Sequence, residues 1–159
     1  MVLSFGLYSD SLREAIHLLK FSGLKRLAAP LGRFFYELPI PEIDGIVPVP
    51  LSKRSLRERG FNQTLLLSKS LSKHLKIPVY MDVLYKKRET MPQIGLRAKE
   101  RAANLKNAFG ARGDLTGMRL LLLDDVMTTG ATVRECSKTL IKAGAGEVVV
   151  ATLARSVME

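Results

Sequence analysis

Asp124 and Asp125 stand side by side near the end of an apolar run and are followed by Met127, Thr128, Thr129, Gly130, Ala131 and Thr132. Ionised carboxylates only accept hydrogen bonds, and the vicinal hydroxyls of a ribose donate them. A small-residue bend that opens a helix offers backbone N–H groups and hydroxyls to a phosphate, and the helix dipole adds to the attraction. Gly130 lets the backbone close around the anion with no Cβ in the way. Acid pair and phosphate cradle together describe a seat for a ribose 5-phosphate. The plain alternative is an ordinary strand-to-helix turn with Thr132 and Glu135 as a capping box, which leaves the adjacent acids unexplained.

The segment resembles the signature of the type I phosphoribosyltransferases, which bind 5-phosphoribosyl 1-pyrophosphate (PRPP). That resemblance implies that Asp124 and Asp125 take the ribose diol, directly or through metal-bound water, and that residues 127–132 hold the 5-phosphate. It also implies Mg²⁺ as the cofactor, arriving with PRPP. No direct protein ligation is expected, unless Asp124 and Asp125 supply it.

Two other stretches suit the pyrophosphate. Leu51, Ser52, Lys53 and Arg54 follow a short strand as a basic loop, expected to hold the leaving anion. Arg57 and Arg59 serve the same anion, or else pair with Glu58 or lie in solvent. Residues 86–108 read as a long, basic, flexible insertion, the usual mark of a lid. From it Arg88 is expected to reach the reacting group, with Lys86, Lys87 and Gln93 closing over the anion and excluding water. The alternative for residues 98–106 is a plain surface helix.

Val47-Pro48-Val49-Pro50, Arg59-Gly60-Phe61-Asn62-Gln63, Thr90 with Gln93, Arg101 with Asn104 and the acid-pair motif occur in an order similar to that of the ComF family. Those phosphoribosyltransferase-like bacterial proteins are associated with DNA uptake in competence, and the likeness runs from about residue 8 to residue 153. The resemblance implies transfer of phosphoribose to an unidentified nitrogen acceptor. It also implies an alternative: a non-catalytic or weakly catalytic protein that binds single-stranded DNA and other competence proteins. The four-cysteine zinc ribbon with which many ComF proteins begin has no counterpart in this chain, whose one cysteine is Cys136.

Composition narrows the partners. Lys and Arg total 25 against 15 acidic residues, a formal charge of +10, which favours polyanions such as a sugar pyrophosphate or nucleic acid. No apolar run approaches the roughly 20 residues needed to cross a bilayer, so no membrane insertion and a cytoplasmic location are expected. Cys136 reads as a buried structural thiol, and His17 and His74 as packing or surface residues.

Strands alternate with helices, so the expected class is α/β: a single domain over residues 1–159, mainly parallel sheet, of the type I phosphoribosyltransferase-like fold with a lid. Strands are expected at 3–8, 43–49, 79–85, 118–125 and 148–153. Helices are expected from a Ser11–Glu14 capping box through Phe21, then over 24–37, 62–75 and 131–143. Residues 1–40 thus supply an N-terminal strand and two helices. Leu120–Leu123 reads as a strand buried on both faces.

Overall fold

The computed structural model describes residues 1–157; the last two residues of the expected 1–159 unit lie outside the described residues. Four strands, β1 (Val2–Leu7), β2 (Gly45–Pro48), β5 (Arg119–Met127) and β6 (Glu147–Arg155), form a wholly parallel sheet in the order β1-β6-β5-β2. A two-stranded antiparallel ribbon, β3 (Leu84–Lys86) with β4 (Phe109–Ala111), stands apart from it.

The four leucines decide where the layers go. Successive side chains on a strand point to opposite faces, and Leu120–Leu123 are all fully buried. Leu121 and Leu123 enter one cluster, beneath α1 (Asp10–Phe21), α2 (Ala28–Gly32) and α4 (Gln63–Leu75). Leu120 and Leu122 enter the other, with Val133, Cys136 and Leu140 of α6 (Ala131–Lys142) and Leu105 of α5 (Ala98–Leu105). At about 2 kcal/mol per buried leucine, this strand anchors both layers. The same alternation carries past Leu123 to the two aspartates.

Several elements differ from the sequence expectation. Helix α1 starts two residues early, with Ser9 rather than Ser11 at its N-cap, and the Ser11–Glu14 capping box does not form. The helix expected over 24–37 is broken into a 3₁₀ turn, the short α2 and a second 3₁₀ turn; Pro30 has no N–H for a continuous ladder. Residues 79–85 do not add a strand to the sheet. They meet β2 through a single bridge, Ile46 to Val79, then turn away into β3. The ring of Tyr80 lies against Gly45, where a Cβ would collide with it. The insertion 86–108 is not structureless, since the plain helix α5 occupies 98–105. Residues 53–59, read as loop, form α3 (Lys53–Arg59), started by Ser52 Oγ accepting from the Ser55 amide and stopped by Gly60 at φ +81°. Asn62 caps α4, accepting from the Thr64 amide at 3.0 Å.

Candidate functional site

The bend after β5 borders a small, partly open pocket lined by Gln93, Asp124 and residues 126–133. It lies at the carboxyl edge of the central strand, where open α/β sheets place ligands. Gly130, at φ +77°, is the N-cap of α6, a left-handed conformation that glycine adopts without strain. Thr129 Oγ1 accepts from the Ala131 amide, while the amides of Thr128, Thr129 and Gly130 find no acceptor among the described residues. The Thr132–Glu135 capping box is not formed, so Thr132 keeps its hydroxyl for the pocket.

The two aspartates do not converge. Asp124 follows the Leu120–Leu122 face, lines the pocket, and accepts from the Asp125 amide at 2.9 Å. Asp125 points to the opposite face, where Lys20 Nζ lies 2.9 Å from Oδ2 and Gln63 Nε2 donates to the same oxygen at 3.1 Å. Oδ1 accepts from the Val126 amide at 2.7 Å. Arg59 donates to Gln63 Oε1 and lies over the ring of Phe21, extending the network.

This asymmetry separates the two acids electrostatically. Burial, and then the charge of its neighbour, push Asp124 well above the usual carboxylate range. Burial also acts on Asp125, but the Lys20 charge and the bonds from Lys20, Gln63 and Val126 outweigh it and hold Asp125 below that range. Burial opposes the charge on Lys20, and Asp125 more than restores it, so its pKa is raised.

The expected pyrophosphate loop leaves from the same sheet edge. Pro48 of β2 pairs with Leu123, and the Val49 amide donates to the Leu123 carbonyl at 2.9 Å. Leu51 and Ser52 precede the helix, Ser52 as its N-cap, but Lys53 and Arg54 belong to the first turn of α3. The Ser52 hydroxyl is committed to the cap, Lys53 is exposed, and the Arg54 side chain pairs with Glu58 at 2.9 Å. Arg54's amide meets Glu89 Oε1 at 3.4 Å, so the lid touches this turn.

The lid residues take different positions from one another. Gln93 Nε2 donates to Thr132 Oγ1 at 3.3 Å and lines the pocket. Lys87 is exposed, and Lys86 is half-buried beside Phe109, where burial lowers its pKa. Arg88, expected at the reacting group, instead donates to the carbonyls of Asn104 and Lys106 at 2.8 and 2.6 Å. Its guanidinium therefore ties the lid to the end of α5. Cys136 is fully buried, with burial raising its thiol pKa; His74 stacks on Tyr36, and His17 meets Phe21 with its ring tilted.

Sequence reasoning missed Lys20 altogether. The available signal was its spacing: Lys20 lies four residues after Ile16 on the buried stripe of α1. Arg101, flagged only as part of a pattern, donates from Nη1 to Thr128 Oγ1 at 2.9 Å. For Mg²⁺, the described residues hold no group of three or more His, Cys, Asp or Glu side chains. Asp124 is the carboxylate that lines the pocket, a donor set that fits a Mg²⁺ whose other oxygens come from a pyrophosphate and water. No helix among the described residues is long and apolar enough to cross a membrane.

Residues 63–157 match the model of the phosphoribosyl transferase domain family. The chain is 38% identical to Competence protein F of Haemophilus influenzae, over 95% of this chain and 71% of that protein. It is 37% identical to the DNA utilization protein YhgH of Escherichia coli, over 94% and 69%. Among solved structures it is similar to the glutamine PRPP amidotransferase from B. subtilis complexed with ADP and GMP. That likeness has a TM-score of 0.52 and 25% identity, covering 80% of this chain but only 25% of the larger enzyme. An adenine phosphoribosyl transferase from Trypanosoma brucei shares the fold at TM-score 0.50 and 19% identity, over 85% of this chain and 55% of that one.

Proposed function

The chain belongs to the phosphoribosyl transferase domain family and, within it, to the ComF family, and from that premise we propose that it is a PRPP-dependent transferase. In this reading it moves phosphoribose to a nitrogen acceptor and releases pyrophosphate. The observation that carries it is the pocket that Asp124 shares with loop amides lacking a protein acceptor.

The 5-phosphate takes the amides of Thr128–Gly130 and the hydroxyls of Thr128 and Thr132. The ribose diol donates to Asp124, while Asp125, kept ionised by Lys20, anchors the same strand end from the opposite face. Lys53 and Arg54 face the pyrophosphate, with Lys86 and Lys87 approaching from the lid. When bound, Mg²⁺ would neutralise charge on the pyrophosphate, and Asp124 would be the protein carboxylate that holds it. The acceptor nitrogen's lone pair forms the new bond to the anomeric carbon. The bond from that carbon to the pyrophosphate oxygen breaks with its electron pair on the oxygen, and the nitrogen's proton passes to solvent. The protein acts by positioning and by charge compensation.

Pyrophosphate release from PRPP, followed across purine, pyrimidine and simple amine acceptors, tests the transfer. Release with at least one acceptor, lost in Asp124→Asn, supports it. PRPP binding without release for any acceptor removes the enzymatic reading.

A second reading, single-stranded DNA binding with little turnover, draws on the charge of +10 and the exposed Lys53, Arg54 and Arg57 of α3. The relatives' names, competence and DNA utilization proteins, point the same way. It predicts oligonucleotide affinity that falls steeply with salt and weakens when Lys53 and Arg54 are neutralised. Undetectable or salt-insensitive binding removes it.

A further inference from the structure

Building on the PRPP reading of the pocket, we infer that Arg101 is a 5-phosphate-binding residue delivered by the lid, which makes closure of the lid depend on that phosphate. The cradle itself lacks a cation: residues 126–133 contain no Lys or Arg, and the carboxylate of Asp124 shares their pocket. A phosphate monoester brings a charge of about −1.5 to −2 at neutral pH. Amide dipoles and hydroxyls solvate such a group, but a full compensating charge must come from outside the loop.

Arg101 is placed to supply it. Its Nη1 donates to Thr128 Oγ1 at 2.9 Å, so the guanidinium already rests on the rim of the cradle. Its Nε is shielded from solvent and has no acceptor among the described residues. A buried donor left unmet is costly, and a phosphate oxygen is the acceptor a guanidinium fork matches best. Turning from a neutral hydroxyl to a phosphate exchanges a weak bond for a charge-assisted one.

The coupling to the lid follows from how Arg101 is mounted. Asn104, one turn further along α5, accepts from the Met91 amide and donates to the Met91 carbonyl, at 3.0 and 2.9 Å. Arg88 grips the carbonyls of Asn104 and Lys106. Loop 88–93 and α5 are thus cross-linked, and both of the lid's side-chain contacts with the cradle, Gln93 on Thr132 and Arg101 on Thr128, fall on its threonines. A phosphate in the cradle therefore strengthens the attachment of the whole lid.

The test compares wild type, Arg101→Gln and Arg101→Lys in calorimetric titrations with ribose 5-phosphate and with inorganic pyrophosphate, after thermal unfolding has confirmed folding. Arg101→Gln weakens ribose 5-phosphate tenfold or more and leaves pyrophosphate within about twofold; Arg101→Lys, which keeps the charge but not the fork, falls between. Ribose 5-phosphate slows amide hydrogen exchange across 91–105 in wild type and not in Arg101→Gln. Equal losses for the two ligands, or no loss, overturn the role of Arg101 while the pocket reading stands. If Arg101→Gln does not fold, the same comparison in Arg101→Lys decides. Failure of wild type to bind either PRPP or ribose 5-phosphate removes the pocket reading and this inference with it.

Discussion

Lys20 Nζ lies 2.9 Å from Asp125 Oδ2, joining the last turn of the N-terminal helix to the carboxyl end of the central strand. The pair is largely buried, with the lysine side chain 20% exposed and the aspartate 4%. It divides two adjacent acids into different roles: one is neutralised within the protein, and the other is left to the pocket.

Lys20→Met leaves Asp125 as a buried charge without its cation. Loss of one partner from such a pair is expected to cost about 3 kcal/mol, read as a lower denaturation midpoint. The double variant Lys20→Met/Asp125→Asn loses less than the sum of the two single changes. Strict additivity would show that the pair is not coupled.

Asp124→Asn is expected to stabilise the fold while weakening the site. The folded-state pKa of Asp124 is raised, so the native protein resists its ionisation, and that cost grows as pH rises above about 4. Unfolding at pH 7 should show a higher denaturation midpoint in the variant, with the gain shrinking toward zero below about pH 4. A loss of stability at pH 7 would contradict this assignment.

Asp125 carries the opposite sign. Its pKa is depressed in the fold, so its contribution is present above about pH 4 and disappears as pH falls below that value. Asp125→Asn should flatten the acid limb of the stability profile. Lys20, with a raised pKa, contributes fully below about pH 10 and loses its contribution above it.

Gly130→Ala places a side chain at φ +77°, with space around it: the nearest atom, Met127 Sδ, lies 3.7 Å from the new Cβ. The cost is therefore backbone strain of about 1–2 kcal/mol. Relief of that strain turns the loop amides, so affinity for ribose 5-phosphate should fall while the far-UV spectrum is unchanged.

The central strand, the bend and α6 were legible because their signals are local: an unbroken leucine run, paired acids, a glycine and a helical period. The parallel class followed from alternation alone. Less accessible were features set by distant partners. Lys20 meets Asp125 across more than a hundred residues, and its spacing on α1 places it on the buried stripe without showing which partner it meets. The basic stretch 53–59 looked like a loop because charge drew attention away from Ser52 and Gly60, which bracket a helix. Arg88 looked catalytic by charge, but its geometry commits it to two carbonyls.

The most direct test is calorimetric titration of PRPP with Mg²⁺ into wild type and Asp124→Asn. Saturable binding by wild type, weakened at least tenfold (about 1.4 kcal/mol) in the variant, is the predicted result. No binding by wild type, or equal affinity in the variant, would contradict the assignment of this pocket.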